Sequence, residues 1–593
     1  MRDYLNRLYE SIQDSVKLQQ QTIELLIQPS KENFQHNFVI SELERDNFNR
    51  MPKKTPCQVT ADKSVEVVLY NSLAQERLEI VLLRVLKPNV KIIDATGNEL
   101  PYQINPVFNV TENHDTQTRR IFVSNREFEL MFLAKLPALS LSVFTVSYQN
   151  DTKSKIATVY CEDCKEEAKH DENNFTPFDI KPKQTGDIQV ENLKMRLLFD
   201  GDSGFLKSMT KKNYGKAIQL AIKFGAYKSA QFHSGAYLFR PESSDSRNAE
   251  KDVFENYKDK KIMITTGPIA SDVTVIQGAL LAHTVRIFKT QTHLDTAMYI
   301  ENDVDFESPP KNRETEMFMR FITPIENGDD PEFFSDLNGF QWQHRRKVQE
   351  IGIEGNYFPI TTSAFIQDNQ MRLTVMTTHA QGAASLEPGQ IEVMLDRRTL
   401  YDDYRGMGEG IVDSRLMRHQ FWITMEFFNS ETPEAPKKPY HVPSLHAQYL
   451  SNSLNYPVNI YFIEKYDDTQ DLQINHNVEL LNYQLPCDLH VVNLRTLTER
   501  NLPLFPSKSA LLIIQKFGYD CRLSRFDDEE SYANMCSQTT GKFGSLKIFK
   551  GIEVEEVQRT TLTALKTYGP VKSFSSENPI ETMELRTFNM TFV

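Results

Sequence analysis

The sequence contains no apolar run near the roughly 18 residues of a membrane-spanning helix. Ser509 to Ile514 is apolar but short, and Lys516 follows it closely. There is no basic surplus either, since 67 Lys and Arg stand against 80 Asp and Glu, for a net charge of −13. A nucleic-acid backbone calls for a basic face, so that class of partner is excluded. No HExxH, Walker, dinucleotide-binding or G-x-S-x-G motif occurs, so the short signatures of zincins, P-loop enzymes, Rossmann enzymes and serine hydrolases are missing. Cysteines are few: Cys57, Cys161, Cys164, Cys487, Cys521 and Cys536. Cys161 and Cys164 form a lone CxxC, and without a second pair a four-thiolate zinc site is unsupported. The polar, charged flanks of that pair do not suit a redox site at a helix start, which leaves a local disulfide or unpaired thiols in a loop. The thirteen histidines lack close ligand spacing. His441 and His446 come nearest, but five residues apart on a strand they would point to opposite faces. The first thirty residues carry Asp3, Arg7, Glu10, Asp14 and Lys17, where a signal peptide would be apolar. Sequons at Asn109, Asn150, Asn174 and Asn589 permit a secretory location.

What is present is hydrophobic pattern. With 593 residues, 40% of them hydrophobic, the chain exceeds the roughly 250–300 residues at which one core stops growing, so several domains are expected. Leu5, Leu8, Ile12, Val16, Ile23 and Leu26 share one face of a helix over 1–27, which Pro29 ends. Such a stripe needs a partner, either the rest of a helical bundle or the next sheet. From residue 65 the signal becomes β. Val65–Asn71, Leu78–Val85, Val90–Ile93 and Ser140–Val146 are β-branched runs between turn residues. Residues 149–188 are polar and read as a loop or insert. Strand patterns resume in 189–428, for example at Ile262–Thr266, Glu316–Phe321, Arg372–Thr377 and Gln420–Phe427. Pro433, Pro436 and Pro439 mark a linker within 429–440, before a last β-rich region. The expected division is 1–50 helix and linker, 60–148 a small β-sandwich, 189–428 a large β region and 441–593 a C-terminal β domain, with antiparallel sheets throughout.

Two stretches are candidate sugar contacts, and the first mixes aromatic, acidic and guanidinium groups as a sugar site does. There, rings cover C–H patches while carboxylates and arginines hold hydroxyls. The first runs from Phe333 to Trp342, through Gly355–Pro359, to Leu395–Gly408, where Asp396, Arg397, Arg398, Asp402, Asp403 and Arg405 fall within ten residues. An ion-pair network ordering a long turn explains the same residues. The second is His233–Pro241, where Tyr237 follows a small, flexible pair and its hydroxyl can both donate and accept; a half-buried strand tyrosine is the plainer alternative. Glycosidic cleavage by paired carboxylates needs separations of about 5–5.5 or 6.5–9.5 Å. Asp336, Asp396, Asp402 and Asp403 are available, but spacing selects no pair among them.

The same segments resemble glycoside hydrolase family 38, the class II α-mannosidases, in that family's middle and C-terminal region. The pieces that carry the likeness are Val68–Ser72, Ser234–Phe239, Asp336–Gly339, Asn356–Pro359, Arg372–Thr374, Gln390–Arg398 and Asp402–Gly406, in matching order. Met394–Arg398 and Tyr440–Ser444 are closest to the Golgi α-mannosidase II form, whereas Gly355–Pro359 leans to the lysosomal branch. The resemblance implies a large β-supersandwich over 189–428, smaller β-sandwiches beside it, and a first helix left from an incomplete helical bundle. It implies an enzyme of N-glycan processing in the Golgi lumen that hydrolyses α-1,3- and α-1,6-linked mannose with retention. In that family a (β/α) domain holds zinc and the nucleophile. Its metal-bearing motifs do not occur here, so no catalytic residue, zinc ligand or bound metal is expected of this chain, which is expected to be inactive alone. The resemblance does transfer a substrate wall: Tyr237 as the site tyrosine, and the site arginine within Asp396–Arg397–Arg398. It implies oligomannose N-glycan as ligand and contact with a catalytic domain through helix 1–27. The rival expectations are a non-catalytic glycan-binding or scaffold protein, and a hydrolase whose site is drawn wholly from 189–428.

Overall fold

A computed structural model describes residues 2–28, 37–40, 54–113, 118–150, 152–167, 176–230, 234–307, 314–412, 414–428, 441–464, 474–499, 501–520, 547–572, 574 and 580–593. The 429–440 linker lies outside the described residues. The first helix forms as its periodicity predicts, over Arg2–Ile27. It meets the body through its last turns, where Ile23 and Ile27 are buried with Val68, Val143 and Tyr461. Further up the same helix Leu8 and Ile12 stand exposed.

Among the described residues the strands gather into six sheets of four to eleven strands. One joins Val65–Asn71 and Ser140–Tyr148 to Asn459–Glu464 and Asn477–Glu479. A second is built on the long hairpin of Tyr102–Asn113 and Thr118–Leu136, and the two enclose a core that includes Tyr102, Phe132 and Phe144. An eleven-stranded sheet runs from Ile180–Pro182 to Gln341–Arg346. It shares one core with a four-stranded sheet begun by Ile188–Glu191 and with the six-stranded sheet that contains Ala221–Tyr227, Thr315–Ile322 and Gln390–Arg398. Leu489–Glu499 and Leu502–Lys516 start a last five-stranded sheet.

The mainly β character stands, but the expected supersandwich of antiparallel β-sandwiches is corrected to a half-barrel arrangement. Three findings overturn it. Strands from opposite ends of the chain share the first sheet. Thr158–Cys161 and Ile180–Pro182, inside the supposed polar insert, pair in parallel and extend the eleven-stranded sheet. That sheet is also larger than a flat sandwich face allows, because twist of roughly −20 to −25° per strand pair accumulates and curls sheets near ten strands. A second correction concerns His446. It lies on the helix Leu445–Asn455, not on a strand, and Ser444 caps that helix by accepting the Ala447 amide. Cys161 and Cys164 are disulfide-bonded, as is Cys487, while Cys57 is a buried free thiol.

Candidate functional site

Thr315–Ile322 and Gln390–Arg398 run antiparallel and set Glu316 opposite Arg397. The register slips between Met317 and Phe318, which makes Leu395 the extra residue of a bulge. A bulge bends its strand and re-aims the side chains beyond it. Arg397 and Arg398 then leave the strand on opposite faces. The Arg397 guanidinium donates to Glu316 Oε1 at 2.8 Å through Nε, and to the carbonyls of Gly235 and Leu238 at 3.2 and 2.9 Å through Nη2. Arg398 reaches Glu307 at 2.5 Å instead. Of the two arginines, only Arg397 belongs to the loop that carries Tyr237.

That loop is fixed by polar groups from three segments. Ser234 donates to Glu316 Oε2 at 3.0 Å and accepts the Arg240 amide at 2.8 Å. Asp403 Oδ2 accepts the amides of Tyr237 and Leu238 at 2.6 and 2.8 Å. The backbone of Tyr237 is therefore held, while the residue remains 64% exposed. Asp396 accepts the Arg397 amide at 2.7 Å. Asp402 accepts the amides of Tyr404 and Gly408 and shapes its own turn, in which Tyr404 takes φ 59°.

The charges follow from this packing. Burial pushes the Glu316 carboxyl above its ordinary range, and Arg397 and Ser234 counter part of the rise. Burial also pushes Asp403 upward, but the amides of Tyr237 and Leu238 outweigh it and hold the carboxyl below the usual range. Asp336, an available acid by sequence, is fully enclosed. It accepts from the amides of Gly339, Thr361, Thr362 and Ser363 and from the Thr362 hydroxyl. It organises a turn rather than facing a cleft. Glu316 was not singled out by sequence; its only signal is the one acid in a mostly apolar strand that also carries Arg320.

Zinc does not fit the donors beside Tyr237. Glu316 is committed to Arg397 and Ser234, and Asp403 Oδ2 to two amides. Among the described residues no group of three or more His, Cys, Asp or Glu is placed to hold a metal ion. Gly235 is where the loop is tightest. An added Cβ would lie 2.6 Å from Asp403 Cβ and 2.8 Å from its backbone nitrogen. Gly235→Ala is expected to destabilise the protein by ~1–3 kcal/mol through overpacking and to speed hydrogen exchange at the Tyr237 and Leu238 amides. An unchanged melting temperature with unchanged exchange contradicts the packing described.

Residues 190–405 match the C-terminal domain of the glycosyl hydrolases family 38. The chain is 37% identical over 625 residues to an α-mannosidase 2 of Spodoptera frugiperda, covering 100% of this chain and 52% of that protein. It is 30% identical over 599 residues to α-mannosidase 2 of Mus musculus, covering 99% and 49%. A solved α-mannosidase from Enterococcus faecalis V583 shares the fold at TM-score 0.51 and 11% identity, covering 89% of this chain and 56% of that one. The chain spans about half the length of the curated relatives it matches. By these likenesses the chain is α-mannosidase-like in sequence. Within that class it belongs to family 38, to the middle and C-terminal region of that family.

Proposed function

We propose that this chain supplies one wall of the substrate site of an N-glycan-processing α-mannosidase. The observation that carries the reading is Tyr237, which presents an exposed ring and hydroxyl from a loop whose backbone Asp403 and Arg397 hold in place. A sugar contact needs such a rigid support, because a side chain already ordered loses little entropy on binding. Tyr237 offers its hydroxyl and ring face to mannose. Arg397, whose backbone amide Asp396 accepts, holds the loop through the Gly235 and Leu238 carbonyls and keeps its side chain partly exposed. Arg398, which the resemblance left as an equal choice, supports the adjoining turn through Glu307.

In the complete enzyme a carboxylate attacks the anomeric carbon of an α-1,3- or α-1,6-linked mannose, an acid protonates the leaving oxygen, and water then releases the sugar with retention. That nucleophile and the zinc then belong, as the resemblance implies, to a (β/α) domain outside these residues; the reading is supported by the chain spanning only about half the length of its relatives. Residues 189–428 are then the substrate-facing part, with 60–148 and 441–593 buttressing it. The exposed Leu8–Ile12 face of the first helix suits contact with the catalytic domain. A Golgi-lumen location accords with disulfides at Cys161–Cys164 and Cys487, which persist in oxidising compartments. Among the described residues no helix is long and apolar enough to cross a membrane.

The purified chain, incubated with zinc and an aryl α-mannoside, is expected to give no turnover above the blank, yet to bind a branched α-mannotriose in a manner that Tyr237→Ala weakens about tenfold. Robust turnover overturns the assignment of the reaction centre to another domain. Binding indifferent to Tyr237 favours a glycan-binding scaffold with a different site.

A further inference from the structure

The long hairpin of Tyr102–Asn113 and Thr118–Leu136 has an open side. Over Phe108–Asn113 the first strand pairs with Thr118–Val123, and among the described residues no strand pairs with its other side. Asn109, Val110 and Thr111 are all exposed, Val110 at 40%. Successive residues face opposite ways along a strand, so this stretch meets solvent on both faces. Val107 to Thr111 reads Val-Phe-Asn-Val-Thr, β-prone and without charge. An edge of this kind invites pairing with another chain, and proteins blunt it with charge, proline, a bulge or a cover. Pro106 and the register shift beside it stop short of these residues. We propose that Asn109 carries an N-linked oligosaccharide and that this glycan covers the open edge. The inference rests on the luminal location given above and not on Tyr237.

Asn109-Val110-Thr111 is a sequon. Its acceptor amide and its hydroxyl, two residues apart, lie on one face of the strand, and both residues are exposed. The other sequons differ. Asn150 is exposed, but its Thr152 is buried. Asn589 stands between Leu511 and Gln558 in the interior of the last sheet, with its carboxamide oxygen buried. Asn174 lies outside the described residues.

The surroundings of Asn109 suit a first sugar. Phe122 lies directly across the hairpin and is half-buried. Cβ atoms paired in this way stand about 4.5–5.5 Å apart, so a pyranose on Asn109 can lay its C–H face on that ring. Asn109 Nδ2 donates to Glu167 Oε1 at 2.5 Å. Glycosylation replaces one of the two amide hydrogens, and the other keeps this bond and fixes the amide.

In the transfer, Nδ2 attacks the anomeric carbon of a lipid-diphosphate oligosaccharide. The C–N bond forms as the C–O bond to the diphosphate breaks, and the amide proton passes to a base. Nothing is oxidised or reduced. Once attached, the glycan guards the edge by occupying space. A second strand docking on this side would lie about 4.8 Å from the first, inside the volume that a hydrated oligosaccharide on Asn109 sweeps.

The test begins with the protein isolated from its own cells. Release by a peptide N-glycosidase in heavy-oxygen water, followed by peptide mass spectrometry, marks each asparagine that carried a glycan. Asn109 is expected to be marked and Asn589 not. Asn109 unmarked beside a marked Asn150 or Asn174 overturns the site and leaves the luminal location standing. No marked sequon overturns both, and the reading of Tyr237 survives either result. For the edge, the full chain is expressed behind a cleavable secretion leader. Thr111→Ala removes the sequon but leaves the Asn109 amide on Glu167. It is expected to self-associate about tenfold more tightly in sedimentation, with an unchanged melting temperature. Enzymatic release of the glycan from the folded parent is expected to do the same, which separates the open edge from any folding defect of the variant. Thr111→Ala/Val110→Lys, which places a charge on the edge, is expected to restore the sedimentation of the parent. Unchanged sedimentation after release of a glycan from Asn109 overturns its role as a cover.

Discussion

Lowering the pH from 7 to 5 is expected to reduce the stability of this protein by roughly 3–6 kcal/mol, a large share of the ~5–15 kcal/mol that holds a typical domain folded. Burial holds His283, His293 and His490 at about 4 and His419 at about 3, against an ordinary value of 6.5. His446 is lowered further in the same sense. Each of these rings is neutral in the fold at pH 5 and protonated in the unfolded chain. Unfolding therefore takes up protons, and stability falls as pH falls. The stability is fully present above 6.5 and is lost progressively down to the folded values near 4 and 3. A ring shifted from 6.5 to 4 contributes about 2 kcal/mol of this loss by pH 5. Buried carboxylates with raised values, Glu79, Glu316 and Glu426 among them, act in the opposite sense and offset part of it. Urea midpoints at pH 7.5 and 5.0 measure the net effect. His283→Gln should remove about 2 kcal/mol of the difference between the two midpoints, and equal midpoints in the parent protein would rule the account out.

The same histidines show how far the sequence carries. Their spacing gives no metal site, and their burial could not be read because it depends on which elements meet. His446 is an instance: it sits on the helix Leu445–Asn455, within a polar His-Ala-Gln stretch after Pro443, where neither period dominates. Its ring packs 5.7 Å from that of His293, far away in the chain. Strands written as β-branched runs between turn residues were legible almost residue by residue, as at Val65–Asn71 and Val90–Ile93. The strands Tyr102–Asn113 and Thr118–Leu136 were not, because Pro106 interrupts one and polar Ser124–Asn125 the other. Strand partners were illegible altogether, since alternation reports a face and not a neighbour. The half-barrel arrangement followed only from pairing. At the site, composition pointed to Tyr237 and the Arg397–Arg398 pair, but a period of two cannot say which arginine faces the loop. The opposing strand decides it, through Glu316.

That opposing glutamate makes Arg397→Ala the substitution with the largest expected effect at the site. Glu316 is fully buried, and Arg397 is the cation that compensates it. Removing the guanidinium leaves a buried carboxylate with the Ser234 hydroxyl for company, and breaking one side of a buried pair costs about 3–5 kcal/mol. The same change releases the carbonyls of Gly235 and Leu238, so exchange at the Tyr237 and Leu238 amides should rise together with the loss of stability. The penalty has a sign in pH. Without Arg397 the Glu316 carboxyl rises further above its ordinary range, so the folded variant binds a proton that its unfolded chain does not. A group raised on folding stabilises below its unfolded value and loses that contribution as pH rises. The deficit of Arg397→Ala relative to the parent should therefore be smaller at pH 5 than at pH 8. Arg397→Ala/Glu316→Leu, which removes both charges, should recover much of the stability without restoring the order of the loop. A deficit below about 1 kcal/mol at pH 8, or one that grows toward acid, would show that the pair does not hold the Tyr237 loop.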